Sequence, residues 1–125
     1  MKILICEDEE IMLTALEFRL QRQGFEVMIA KNGKEALDLI DKESPDLIVA
    51  DIQMPFVSGL EIIDELRTKR ASTLPVIVIS ALEHDETVLE AFRLGATDFI
   101  TKPFKPNELI LRIRKVFQDI EMSQA

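Results

Sequence analysis

This chain has little cysteine, little histidine, no long apolar run and no excess of positive charge. Cys6 is the one cysteine in 125 residues. It has no internal partner, so no disulfide framework holds the fold, which fits a reducing compartment. At the end of an apolar stretch it reads as a small buried hydrophobe rather than a reactive thiol. The sole histidine, His84, stands at the start of a helical pattern, where a solvated side chain is the better reading than a catalytic one. No apolar run approaches the ~20 residues that span a bilayer. The opening stretch Met1–Cys6 is too short for the apolar region of a signal peptide and is cut off by Glu7. The cytoplasm is therefore the expected compartment, with no membrane contact. The net charge of -8 argues against non-specific nucleic-acid binding by this domain. Repeats, low-complexity tracts and Pro/Gly/Ser-rich linkers are also missing.

What is present is enough for one core. The hydrophobic fraction is 47%, which excludes a disordered chain, and the length is that of one domain. Short runs rich in Ile and Val recur at Ile3–Cys6, Val27–Ala30, Leu47–Ala50, Val76–Ser80 and Phe99–Thr101. Their near-continuous apolar character is that of strands buried on both faces. Helical spacing fills the gaps. Met12, Leu16 and Leu20 mark the first helix, stopped by Gly24; Ala36, Leu37 and Ile40 the second; Leu60, Ile63 and Leu66 the third. Val88, Ala91 and Phe92 mark the fourth, stopped by Gly95. Leu109, Ile113 and Val116 mark the fifth, opened by Pro106 after Lys105, a poor N-cap. Five strand–helix pairs imply an α/β, doubly wound domain: a five-stranded parallel sheet with helices on both faces. Right-handed crossovers leave few topologies, and the flavodoxin-like order 2-1-3-4-5 is expected, with a ligand site outside the carboxyl ends of strands 1 and 3.

The residues at those carboxyl ends carry the chemistry. Strand 1 runs into Glu7-Asp8-Glu9, strand 3 into Asp51, strand 4 into Ser80-Ala81 and strand 5 into Thr101-Lys102-Pro103. Each has a bland alternative. Acids at Glu7–Glu10 suit a helix N-terminus, Asp51 could form a turn or a cap, and Lys102 could be a solvated lysine. Together they place carboxylates, a hydroxyl and an amine at one shallow site. Crowded carboxylates raise one another's pKa, and a hard divalent cation relieves that repulsion. Mg²⁺ suits oxygen ligands, takes one or two carboxylates and keeps several waters.

The chain resembles the receiver domain of two-component response regulators over roughly residues 2–119. The resemblance lies in Ile3-Leu4-Ile5-Cys6-Glu7-Asp8-Glu9, in Pro45-Asp46-Leu47-Ile48-Val49-Ala50-Asp51-Ile52-Gln53-Met54-Pro55 with Gly59, in Pro75-Val76-Ile77-Val78-Ile79-Ser80-Ala81, and in Gly95-Ala96-Thr97-Asp98-Phe99-Ile100-Thr101-Lys102-Pro103-Phe104. This family is itself a standard example of the 2-1-3-4-5 order, so that expectation is not independent of the resemblance. Residues 1–119 are expected to form the domain and 120–125 a tail or the start of a linker.

The resemblance implies a role for each matched residue. Asp51 is the phosphoacceptor and also a Mg²⁺ ligand; Asp8 ligates Mg²⁺ directly and Glu7 through water; the Gln53 backbone carbonyl completes the protein ligands. Ser80 bonds the phosphoryl group and Lys102 pairs with its charge. The Lys102–Pro103 bond is cis, an isomer accessible mainly before proline. Phe99 is the switch aromatic that changes rotamer. It implies a signalling switch, not an enzyme, phosphorylated by a histidine kinase or phosphotransfer protein. Its output surface, formed by helix 4, strand 5 and helix 5 around Phe92 and Ile110, would act on an output domain or downstream protein, and a homodimer through that surface is a further partner. Thr97 and Phe99 replace the Asp and Tyr usual in one large DNA-binding subfamily. A hydrolase with an aspartyl-phosphate intermediate would need an acid two residues after its nucleophile, where this chain has Gln53, which cannot shuttle a proton. Leu82, two residues after Ser80, is expected not to recruit water. A flavin or nucleotide binder would need a Gly-rich loop after strand 1, where Glu7 and Asp8 stand.

Overall fold

The computed structural model describes residues 1–81 and 84–124. The strands are β1 Lys2–Cys6, β2 Glu26–Ala30, β3 Leu47–Asp51, β4 Val76–Ser80 and β5 Asp98–Thr101. They form one sheet in the order β2-β1-β3-β4-β5, and every pairing is parallel. The helices are α1 Glu10–Arg22, α2 Gly33–Glu43, α3 Gly59–Asp64, α4 Asp85–Leu94 and α5 Pro106–Gln124, with a π-helical segment, Glu65–Lys69, continuing α3. The expected fold class and strand order are those observed.

Alternation along each strand sends neighbouring side chains to opposite faces. Ile3, Ile5, Leu47, Val49, Ile77 and Ile79 therefore meet the buried faces of α1 and α5. Leu4, Ile48, Ala50, Val76 and Val78 meet α2, α3 and α4. Because both faces are covered, the strands read as unbroken apolar runs, and periodicity within them carries no inside–outside signal.

Local chemistry sets the helix ends. Asn32 caps α2, its Oδ1 accepting from the Glu35 amide at 2.9 Å, and Glu35 Oε2 accepts in turn from the Lys31 amide. Ser58 caps α3 in the same way through the Glu61 amide. Gly95 ends α4 at φ +112, a left-handed conformation that a Cβ would strain. His84 is exposed at the N-cap position of α4. Helix α5 runs through residues 120–124.

One expected surface residue is buried. Ile110, placed in the output patch by sequence, is 6% exposed and packs in the core beneath α5. The helix turns its 109, 110, 113 and 116 stripe to the sheet, and Leu111 is the residue left outside. Phe92 and Leu89 are exposed on α4.

Candidate phosphoacceptor site

The strand ends bring four of the expected side chains to one edge of the sheet. β1 continues past Cys6, because the Glu7 amide donates to the Ala30 carbonyl at 3.0 Å. That ladder bond carries Glu7 inside, where its exposure is 0%. Asp51, the last residue of β3, is 3% exposed. Ser80, the last of β4, is fully buried. The Lys102 amide donates to the Ser80 carbonyl at 2.8 Å, which extends the β4–β5 pairing and fixes where the lysine side chain begins. The peptide bond between Lys102 and Pro103 is cis.

Lys102 joins the two acids. Its Nζ donates to Glu7 Oε1 at 2.8 Å and to Asp51 Oδ2 at 2.5 Å. Asp51 Oδ1 accepts from the Gln53 amide at 2.8 Å. Both Asp51 oxygens thus have a donor, whereas Glu7 Oε2 is the one buried side-chain polar atom without a hydrogen-bond partner among the described residues. Asp8 and the Gln53 side chain are exposed at the rim. Phe99, half-buried on β5, packs with the α2–α4 face and pairs in register with Val78, two residues before Ser80. Leu82 lies outside the described residues.

Two carboxylates and one ammonium leave the cluster one positive charge short. Burial pushes the Glu7 carboxyl up to about 8, assisted by the neighbouring Asp51 carboxylate and opposed by Lys102. Partial burial works to lower Lys102, but its hydrogen bonds to Asp51 and Glu7 and their charges outweigh it, and the net shift is upward. Next to them Cys6 is fully buried and its thiol is pushed up by desolvation, which makes it inert.

The donor set fits a hard divalent cation. It consists of oxygens, one of them a buried carboxylate oxygen lacking any partner. No three His, Cys, Asp or Glu side chains gather as a metal cage among the described residues. Mg²⁺ does not require one, since it binds through one or two carboxylates and retains water.

Two residues without an expected role shape the site. A Cβ on Gly59 would lie 2.5 Å from the Asp51 carbonyl oxygen, so only glycine lets α3 start against the end of β3. A Cβ on Gly33 would lie 2.1 Å from the Val57 carbonyl oxygen, so the same holds where α2 meets the β3–α3 loop. Gly59 stands in the sequence motif that carries the family resemblance, without a role of its own there; Gly33 has no such signal.

Comparison with known proteins shows which family has this sequence and fold. The family model described as the response regulator receiver domain matches residues 3–114. The alkaline phosphatase synthesis transcriptional regulatory protein PhoP of Bacillus subtilis is 35% identical over 98% of this chain and 50% of its own length. The probable transcriptional regulator ycf27 of Galdieria sulphuraria is 40% identical over 96% of this chain and 46% of its own. The chain thus spans about half the length of these curated relatives. The receiver domain of Francisella response regulator 1452 superimposes with a TM-score of 0.90 at 34% identity, covering 95% of this chain and 98% of that one. The beryllofluoride-activated receiver domain of Klebsiella pneumoniae RstA does so with a TM-score of 0.83 at 28% identity, covering 91% and 96%. The chain belongs to the response regulator receiver domains.

Proposed function

We propose that Asp51 accepts a phosphoryl group from a phosphohistidine on a partner histidine kinase or phosphotransfer protein. The observation that carries this is Asp51 at a strand end, nearly buried, with Lys102 Nζ at 2.5 Å and bridging to Glu7. An Asp51 carboxylate oxygen bonds to phosphorus in line as the P–N bond breaks, and the electron pair leaves with the donor imidazole. Phosphoryl transfer has a loose transition state, so positioning and charge stabilisation do most of the work. Lys102 supplies positive charge to the transferred group, and the Ser80 hydroxyl accommodates one of its oxygens. Asp8, Asp51 and the Gln53 carbonyl would hold Mg²⁺ directly, with Glu7 acting through water, and the bound cation would neutralise carboxylate and phosphoryl charge. Hydrolysis of the product is slow, because Gln53 can orient a water but cannot deprotonate one.

The signal leaves through Ser80 and Phe99. The register Val78↔Phe99 and Ser80↔Thr101 supports this, since it sets Phe99 diagonally from Ser80 on one face of the sheet. A Ser80 hydroxyl drawn toward the phosphoryl group vacates space beside β4. Phe99 swings into that space and alters a surface made of α4, β5 and α5, with Phe92 and Leu89 at its centre. An output domain, a downstream protein or a second copy would read that surface. The setting is the cytoplasm, and no helix among the described residues is long and apolar enough to cross a membrane.

Intact-mass spectrometry after incubation with acetyl phosphate and Mg²⁺ tests the reading. One phosphoryl group is expected on the wild type and none on Asp51→Asn. Equal modification of both would remove Asp51 from the role.

A further inference from the structure

The β3–α3 loop exposes its largest side chain at its most strained point. Phe56 is 85% exposed and adopts φ +68. The Val57 amide donates to the Pro55 carbonyl at 2.9 Å, closing a three-residue turn with Phe56 at its centre. Turns of this kind with positive φ are rare and strained, and a bulky residue there is an outlier where Gly or Asn would rest comfortably. Val57 packs against the α2–α4 side of the core, but Phe56 belongs to neither apolar cluster. The strain costs stability, and among the described residues the ring adds nothing to either apolar cluster of the core. Strain of this kind tends to persist at functional sites.

The turn is anchored to α2. The Gly33 amide donates to the Pro55 carbonyl at 3.4 Å, and Gly33 abuts the Val57 carbonyl. Between loop and helix lies a surface hollow of about 480 Å³ lined by Asn32, Lys34, Glu35, Asp38, Phe56 and Val57. Aromatic side chains, Phe among them, are enriched at protein interfaces relative to the rest of the surface.

Geometry says which partner reaches it. The loop closes on itself, the Gly59 amide donating to the Ile52 carbonyl at 3.3 Å, and Gly59 abuts the Asp51 carbonyl. Phe56 is three residues from Gly59, a span of at most about 11 Å. A protein docking interface covers about 800 Å² on each partner, a disc of roughly 16 Å radius. A protein that brings a phosphohistidine to Asp51 therefore covers Phe56 as well, whereas a small phosphodonor does not.

We propose that Phe56 and the hollow beside α2 select the protein phosphodonor: a phosphohistidine-bearing partner seats an apolar side chain against the Phe56 ring while its histidine addresses Asp51. This inference rests on the reading of Asp51 as phosphoacceptor. Two donors separate the two claims. One is acetyl phosphate. The other is the fastest donor to the wild type in a panel of purified, autophosphorylated kinase cytoplasmic domains. Phe56→Asn suits the backbone and removes the ring; Phe56→Leu keeps an apolar side chain. Phe56→Asn is expected to slow transfer from the kinase by about tenfold or more relative to transfer from acetyl phosphate, and Phe56→Leu to restore most of that ratio. An unchanged ratio in Phe56→Asn would overturn the inference and leave Asp51 in place. An equal fall with both donors would also overturn it, making Phe56 a determinant of loop shape. Failure of acetyl phosphate to label the wild type would instead strike at the phosphoacceptor reading itself.

Discussion

Each end of the sheet holds one lysine between two acids, and the two triads behave differently. At the amino end, Lys2 Nζ lies 3.9 Å from Glu26 and 3.8 Å from Glu43, with its side chain 39% exposed. At the carboxyl end, Lys102 lies 2.8 Å from Glu7 and 2.5 Å from Asp51, with its side chain 19% exposed and both acids buried. The residue types are nearly the same. Water screens the first set and reaches the second far less, so the Coulomb terms and the desolvation cost are larger there. Burial, not composition, converts an ordinary surface ion triad into a cluster that holds a proton or a cation.

The same substitution at both ends breaks the comparison most directly. Lys102→Met leaves Glu7 facing Asp51 with no ammonium between them. In chelator at pH 9 it is expected to lower unfolding stability by about 3 kcal/mol in urea titrations. The loss should be smaller at pH 6, where Glu7 retains its proton.

Glu7→Gln sharpens the contrast through pH. The folded pKa of Glu7 is raised from 4.5 to about 8, so the folded state binds the proton more tightly than the unfolded chain. Its contribution to stability is fully present below about 4.5 and is lost as pH rises through about 8. Metal-free wild type should lose up to about 1.4 kcal/mol per pH unit within that window. The Gln variant should be flatter over the same range and more stable than wild type at pH 9. Parallel profiles would show that Glu7 does not hold a proton in the folded state.

Metal titration divides the acids further. Asp8→Ala is expected to weaken Mg²⁺ binding more than Glu7→Ala, since a direct ligand counts for more than one acting through water. The reverse order would shift the register of the acidic run by one residue. The smallest effect belongs to the amino end: Lys2→Met should change stability by no more than about 0.5 kcal/mol, with little dependence on pH, because exposed pairs contribute little. A loss there as large as that of Lys102→Met would remove the distinction between the two ends.

The carboxyl-end cluster was legible before the fold because each of its members follows a strand run, and a parallel sheet places all such positions at one edge. What was not legible is how deeply each residue sits. Glu7 and Asp8 look equivalent in the chain, yet one is buried and the other lies at the rim, because a single ladder bond to Ala30 carries β1 one residue further. Ile110 and Leu111 are likewise interchangeable by hydropathy, and only the angle at which α5 meets the sheet decides which faces the core. Nothing local marks Phe56 for a left-handed turn or Gly33 for a close approach, since both follow from where α2 docks on the loop.

The sequence by itself determined the number of strands, the alternation that makes the sheet parallel, and the acids, hydroxyl and lysine that end up at one edge. These follow from hydrophobic runs, helix spacing and the stops at Gly24 and Gly95, which act within a few residues of chain. Only the tertiary structure decided that Lys102 lies between Glu7 and Asp51, that Glu7 Oε2 is left without a partner, and that Phe56 stands out beside a hollow. Those outcomes depend on residues as much as 95 positions apart meeting in space. The strength of a charge and the exposure of a side chain are properties of that space rather than of the residues that form it.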